Sequence, residues 1–339
     1  MMGSVMKSLL GSGLVALLLA GACAAQAGTA LQVQDSGVDV RLRGISAVDA
    51  NTAWASGQKG TVLRTVDGGE LWQAMHVEGA DALDFRDVEG FSADVAVVLS
   101  IGPGEASRVY RTEDAGRSWV LTLQNKDPRG FFDCMAFEGE RGWMLGDPVD
   151  GRYQVFATDN GGRDWQQLRD GPKADTEEAA FAASGTCIAR LHGALAVASG
   201  GARARIHVLR DGQQEWQAVD TGMARRKPEA GVFSITALDM GWFAVGGDYR
   251  VETTPGNASI GRGKSVIRII APRGYRSGAA CVEDTLPCIA TGPSGTDLWD
   301  GRRWHSLGDV GFDAIDVHGN VGWLSGDTGR IARIVMDTE

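Results

Sequence analysis

The chain has little of what usually marks an enzyme or a nucleic-acid binder. It carries only four tyrosines and five histidines in 339 residues. The histidines are scattered, and no cysteine stands at metal-ligand spacing from one, so no metal site is expected. There is no glycine-rich strand-to-helix fingerprint, which argues against a nucleotide-dependent oxidoreductase, and no cofactor is expected. Positive charge is in deficit, with 33 Lys and Arg against 43 Asp and Glu and a net charge of −10. That balance argues against nucleic acid as a partner, and any anion site must be a local cluster. Long helical patterns are scarce, and the one extended apolar run, Leu9 to Ala22, is too short and too glycine-containing to read as a membrane span.

That run reads instead as part of an export signal over residues 1–27, with Lys7 at its positive end and Ala25-Gln26-Ala27 as a small-residue cleavage site. Residues 28–339 then form the mature domain, exported to the periplasm, without a transmembrane segment and expected to be a monomer. A second reading cuts before Cys23 and lipidates it, on the strength of Leu19-Ala20-Gly21-Ala22-Cys23. Outside the signal lie Cys134, Cys187, Cys281 and Cys288. An even count in an exported chain suits a disulfide framework, although four cysteines allow three pairings and could also be buried thiols. Cys281 and Cys288 flank a hairpin-like Val-Glu-Asp-Thr-Leu-Pro and are the first pair expected.

What the chain does have is glycine, 48 of them, and a repeat. TVDGGELW at 65–72, TEDAGRSW at 112–119 and TDNGGRDW at 158–165 recur at a period that signals a repeat architecture. Seven short apolar runs end in glycine, at Gly57, Gly102, Gly146, Gly200, Gly246, Gly292 and Gly326. Each follows another short apolar run, the weakest being AFAASGTCIARL from Ala180, and most precede a third and a fourth. The unit is a four-stranded antiparallel sheet, and seven units predict an all-β, seven-bladed β-propeller. The last unit has only three strands, ending at RIARIV, while Ala30 to Gln34 is a spare strand before Leu42. Pairing the two closes the ring and removes both edges.

The repeated phrase resembles the Asp-box (BNR) repeat of sialidases and many other propellers. Its aspartate can accept turn amides, its glycine permits positive φ, and its tryptophan packs into the adjoining sheet. Asp67 with Trp72 and Asp114 with Trp119 fit it, Asn160 replaces the acid before Trp165, and Asp211 with Trp216 and Asp300 with Trp304 are degenerate copies. A device repeated from blade to blade serves the blade, so these residues are expected to be structural rather than catalytic. Calcium in the DGG or DNGG turns is a weak alternative, because no EF-hand spacing surrounds them.

Function is expected on the opposite face, where the longest irregular segments fall: residues 169–179, 221–231 with Arg225-Arg226-Lys227, and 247–264. Aligning the first strands places Arg43, Arg86 and Arg276 at one equivalent position near the channel mouth, with Phe132, Phe233 and Asp313 in other blades. Three arginines around one aspartate would suit a protein or anionic peptide segment. The bland alternative pairs each arginine with a neighbouring acid such as Asp87, Asp147, Asp248 or Asp327.

The Asp-boxes, the seven units and the phrases FRDV, GWMLGD, AVGGD, GPSGTD and GWLSGDTGRIARI together resemble the photosystem II stability/assembly factor family over most of residues 40–335. The resemblance implies a seven-bladed propeller that is not an enzyme, binds assembling membrane-protein subunits and uses an arginine patch, which Arg43, Arg86 and Arg276 would match by position. Thr253 to Lys264 lacks an Asp-box, and the Cys281/Cys288 pair is an addition. The rival is a sialidase-like glycoside hydrolase on the same scaffold, with Tyr275 or Tyr249 as nucleophile.

Overall fold

The computed structural model describes residues 31–336; the expected export signal and Cys23 lie outside the described residues. Seven antiparallel sheets succeed one another along the chain. Their innermost strands are Leu42–Ala47, Asp84–Gly90, Phe132–Glu138, Ile188–Leu191, Lys227–Leu238, Gly278–Val282 and Ala314–His318. Each is followed outward by its next strands in chain order, so the sheets are blades 1 to 7 of a β-propeller. In blade 7 the outermost strand is Leu31–Gln34, paired antiparallel with Ile331–Val335 from Leu31 against Ile334 to Gln34 against Ile331. The ring closes as the strand count predicts.

Burial follows from blade stacking. A blade is covered on both faces by its neighbours, so inner strands read as continuous apolar runs rather than alternating ones. All five residues of Ala53–Gly57 are buried, whereas the outermost strand of the same blade, Gln73–His76, is largely exposed. Short clusters between successive blades make up the core, such as Leu42, Ala55, Trp72, Trp323 and Ile331 between blades 1 and 7.

The Asp-box turns fasten these interfaces. Thr65 Oγ1 donates to Asp67 Oδ1 and accepts the Gly69 N–H, while Asp67 Oδ1 accepts the Leu71 N–H. The same set recurs at Thr112 with Asp114 and at Thr158 with Asn160. Asparagine serves because only its carbonyl oxygen is needed. Gly69, Gly116 and Gly162 have φ of +85°, +80° and +81°, which glycine adopts without strain. The tryptophans close on neighbouring aromatic rings: Trp72 meets Trp323 edge-on at 5.7 Å, Trp119 meets Trp54 at 6.3 Å and Trp165 meets Phe137 at 5.7 Å. In the degenerate copies the tryptophan keeps its place, donating from Nε1 to Asp170 O from Trp216 and to Ile270 O from Trp304. The aspartates diverge. Asp211 forms a two-pronged pair with Arg190, whereas Asp300 Oδ1 still accepts turn amides, from Arg302 and Arg303, and its Oδ2 bonds His305.

Three segments differ from the sequence reading. The run from Ala180 is not a strand until Ile188, and the residues before it leave the sheet. Lys227–Gly231, expected within a loop, extends the inner strand of blade 5 to twelve residues and pairs with Gly200–Gly201. Within 247–264, Asn257–Arg262 is the third strand of blade 5, and it turns at Gly263 straight into Ser265–Arg268. That two-residue hairpin leaves no room for an Asp-box.

Both disulfides form. Cys281 and Cys288 face each other across the hairpin of blade 6 as expected. Cys134, in the inner strand of blade 3, joins Cys187 at the entry to blade 4.

Candidate functional site

Residues Phe181 to Thr186 lie across the propeller axis. Ala182 O and Ala183 O accept from Arg86 Nη1 at 2.8 Å and Arg43 Nη1 at 3.3 Å, reaching blades 2 and 1. Ser184 Oγ donates to Ser277 O of blade 6 at 2.7 Å, and Thr186 Oγ1 donates to Ser234 Oγ of blade 5. The segment is pinned at both ends. Upstream, the Glu178 carboxylate is buried among Arg205, His207 and Ser199, and Asp147 Oδ1 accepts the Ala180 N–H. Downstream, the Cys134–Cys187 disulfide ties it to blade 3. This segment is a plug that divides the channel into two chambers.

The chamber opposite the Asp-box turns, about 440 Å³, is lined by Arg41, Arg43, Arg86 and Asp313 on one side and by aromatic rings on the other. Arg43 and Arg86 sit at β-bulges, where the inner-strand register slips between Leu42 and Gly44 and between Phe85 and Asp87. A bulge re-aims its side chain, here toward the channel mouth. Asp133 and Phe233 hold the same place in blades 3 and 5. Arg41 enters two residues before Arg43, on the same side of the strand.

The expectation that Arg276 joins them is not met. The Arg276 N–H bonds Gly246 O of the preceding blade, as the Leu42 N–H bonds Gly326 O and the Phe312 N–H bonds Gly292 O. Arg276 therefore aligns with Leu42 and Phe312, one step short of Arg43, and Ser277 occupies the arginine position of blade 6. By the same count Phe132 aligns with Leu42. Positions of this register point between blades, so Arg276 is fully buried and paired with Asp297, with further bonds to Tyr275 O and Ser294 Oγ.

The guanidinium groups are unevenly satisfied. Arg41 grips Asp313 with both prongs at 2.7 Å, and Arg86 bonds Asp84 Oδ2 at 3.0 Å. Arg43 lies 3.9 Å from the already engaged Asp313, and its Nε–H is buried with no acceptor. Burial, with Arg86 and Arg41 alongside, pulls its pKa down to about 10. None of Asp87, Asp147, Asp248 or Asp327 pairs with these arginines. Asp87 accepts the Val88 and Met135 N–H groups, and Asp248 pairs with Lys227.

Facing the arginines, Phe181 stacks on Phe233 at 3.9 Å with an interplanar angle of 8°, while Tyr275 stands edge-on to Phe233 at 4.7 Å. Tyr249, 42% exposed, lies edge-on to both phenylalanines. Tyr275 is buried, and burial pushes its phenol well above the usual range, the opposite of an activated nucleophile.

The chamber beyond the plug, about 280 Å³, is lined by carboxylates, among them Asp87, Glu89 and Asp316. Burial raises all three. Asp87 and Asp316 nonetheless have fixed roles: Asp87 bonds the Met135 N–H of blade 3 at 2.6 Å, and Asp316 bonds the Ala47 N–H of blade 1 at 2.7 Å. Among the described residues no group of three His, Cys, Asp or Glu side chains is placed to hold a metal ion, and no helix is long and apolar enough to cross a membrane.

A family model described as Photosynthesis system II assembly factor YCF48 matches residues 24–232. No curated protein matches the chain significantly. Among solved structures, YCF48 from Cyanidioschyzon merolae is similar at 19% identity and a TM-score of 0.67, covering 90% of this chain and 99% of its own. A structure of YCF48 bound to D1 peptide is similar at 14% identity and a TM-score of 0.66, covering 91% and 97%. The WD40 β-propeller domain of Doa1 is similar at 10% identity and a TM-score of 0.62, covering 92% and 98%. At such identities the structural likeness speaks for the fold alone.

Proposed function

This chain belongs to the photosynthesis system II assembly factor YCF48 family, and from that premise we propose that it is an exported, non-enzymatic binding protein. Its plugged channel mouth, centred on Arg41, Arg43 and Arg86, takes an anionic segment of a protein partner during assembly of a membrane complex. The observation that carries this reading is the buried Nε–H of Arg43, left without an acceptor in a cluster of three guanidinium groups, two of which share Asp313 while the third pairs with Asp84. A buried donor without a partner costs free energy, on the order of 1–3 kcal/mol, and a ligand carboxylate at that point would recover it. The YCF48 structure bound to D1 peptide supports a peptide as the ligand type. Export through residues 1–27 agrees with two disulfides, which persist in oxidising compartments. The raised phenol of Tyr275, and an Asp313 already held by Arg41, weigh against glycoside hydrolysis at this site.

The test is capture of the partner from solubilised native membranes by purified protein and by Arg43→Glu/Arg86→Glu. The double variant should lose the partner, and Arg43→Met, which introduces no buried charge, should lose it too while keeping its melting temperature within a few degrees. Undiminished capture removes the assignment.

A further inference from the structure

The chamber is not a basic patch with incidental walls; it has two unlike halves and a closed floor. Arginines of blades 1 and 2 form one side, and the rings of Phe181, Phe233, Tyr249 and Tyr275 form the other. The plug closes it from below at Ala182 and Ala183, whose carbonyls are already taken by Arg86 and Arg43. Glu252 stands exposed at the rim. A blind chamber of this size accepts a chain end more readily than a chain running through, and an acid at the rim opposes an entering run of acidic residues.

Resting on the anion-binding reading above, we propose that the site recognises the free C-terminus of a peptide ending in an apolar residue. The terminal carboxylate sits against Arg43 and Arg86, and the last side chain lies on the Phe233/Tyr249 wall. The division of labour follows from chemistry. Guanidinium forks match a carboxylate's two oxygens, while the stacked and edge-on rings offer apolar surface and no charge. The apolar part is one aromatic cluster rather than a long tunnel, so it suits a side chain better than an acyl chain.

The proposal is tested with fluorescein-labelled hexapeptides: GSGSGL as free acid, its C-terminal amide, GSGSGA as free acid, and amidated GSEEGL. On the wild-type protein the GSGSGL acid should bind at least tenfold more tightly than its amide and several-fold more tightly than GSGSGA. Tyr249→Ala, at an exposed position, should erase the leucine preference while preserving the acid-to-amide ratio, and Arg43→Glu should remove binding of the free acids. Should amidated GSEEGL bind as tightly as the GSGSGL acid and be lost in Arg43→Glu, the terminus proposal fails while the anion-binding reading survives. Should no anionic peptide bind, both fail. Octanoate binding more tightly than every peptide would reassign the chamber to small amphiphilic carboxylates and overturn the peptide proposal.

Discussion

On one side of the plug Arg43 holds a buried N–H with no acceptor; on the other, Asp87 and Asp316 each accept two backbone N–H groups and stitch neighbouring blades together. Both chambers carry buried charge-bearing groups, yet only one leaves a cation short of partners. Burial alone therefore does not mark a functional residue. The distinction is whether a buried polar group is consumed by the fold, as Asp87 is, or left short of partners on a side chain that lines a cavity, as Arg43 is.

Truncating one group in each chamber separates the two behaviours. Asp87→Ala strands the Val88 and Met135 N–H groups and should cost about 3 kcal/mol in denaturant unfolding, at roughly 1–3 kcal/mol per buried group left unsatisfied. Arg43→Met frees Ala183 O from a long 3.3 Å bond but also removes a buried cation short of partners, so it should cost under about 1 kcal/mol while abolishing capture of the partner. Equal destabilisation by the two would erase the contrast.

An effect of comparable upper size, but confined to high pH, concerns the plug. Burial raises Asp147 to about 6 from its ordinary 3.8, although it accepts the Ala180 N–H. A carboxyl raised in the folded state contributes its stability fully below the unfolded value and loses it as pH climbs through the folded one. Asp147→Asn should therefore match the wild type near pH 4 and exceed it above pH 7, by up to about 3 kcal/mol for a shift of that size. The raised Asp87, Glu89 and Asp316 are common to both proteins and cancel in the difference, while Asp133, raised by burial and by the Asp147 charge, relaxes in the variant and adds in the same direction. A variant that loses stability relative to wild type as pH rises would show that the ionised carboxylate anchors the plug.

The sequence made the ring legible because glycines punctuate each blade and the Asp-boxes keep their spacing; the spare strand at Leu31–Gln34 followed from counting. The plug was hidden because Ala180 to Leu191 is apolar enough to pass for one strand, although the 54-residue interval between Gly146 and Gly200, the longest in the repeat, marked the extra chain. Arg276 was misplaced because YRSGAAC offers no marker of register, and a one-residue slip turns a side chain from the channel into the blade interface. Arg41 carries a readable signal of its own, since the alternation Arg41-Leu42-Arg43 puts both arginines on one side of the strand. The Cys134–Cys187 pairing could not be read, since a separation of 53 residues carries no geometry.

Whether Arg43 awaits an anionic partner can be read by NMR from the arginine Nε–H resonances during titration with the GSGSGL free acid. The Arg43 Nε–H should shift most, Arg86 and Arg41 should follow, and Arg276, sealed against Asp297, should stay still. Movement of Arg276 or of the Asp-box amides with Arg43 unchanged would contradict it.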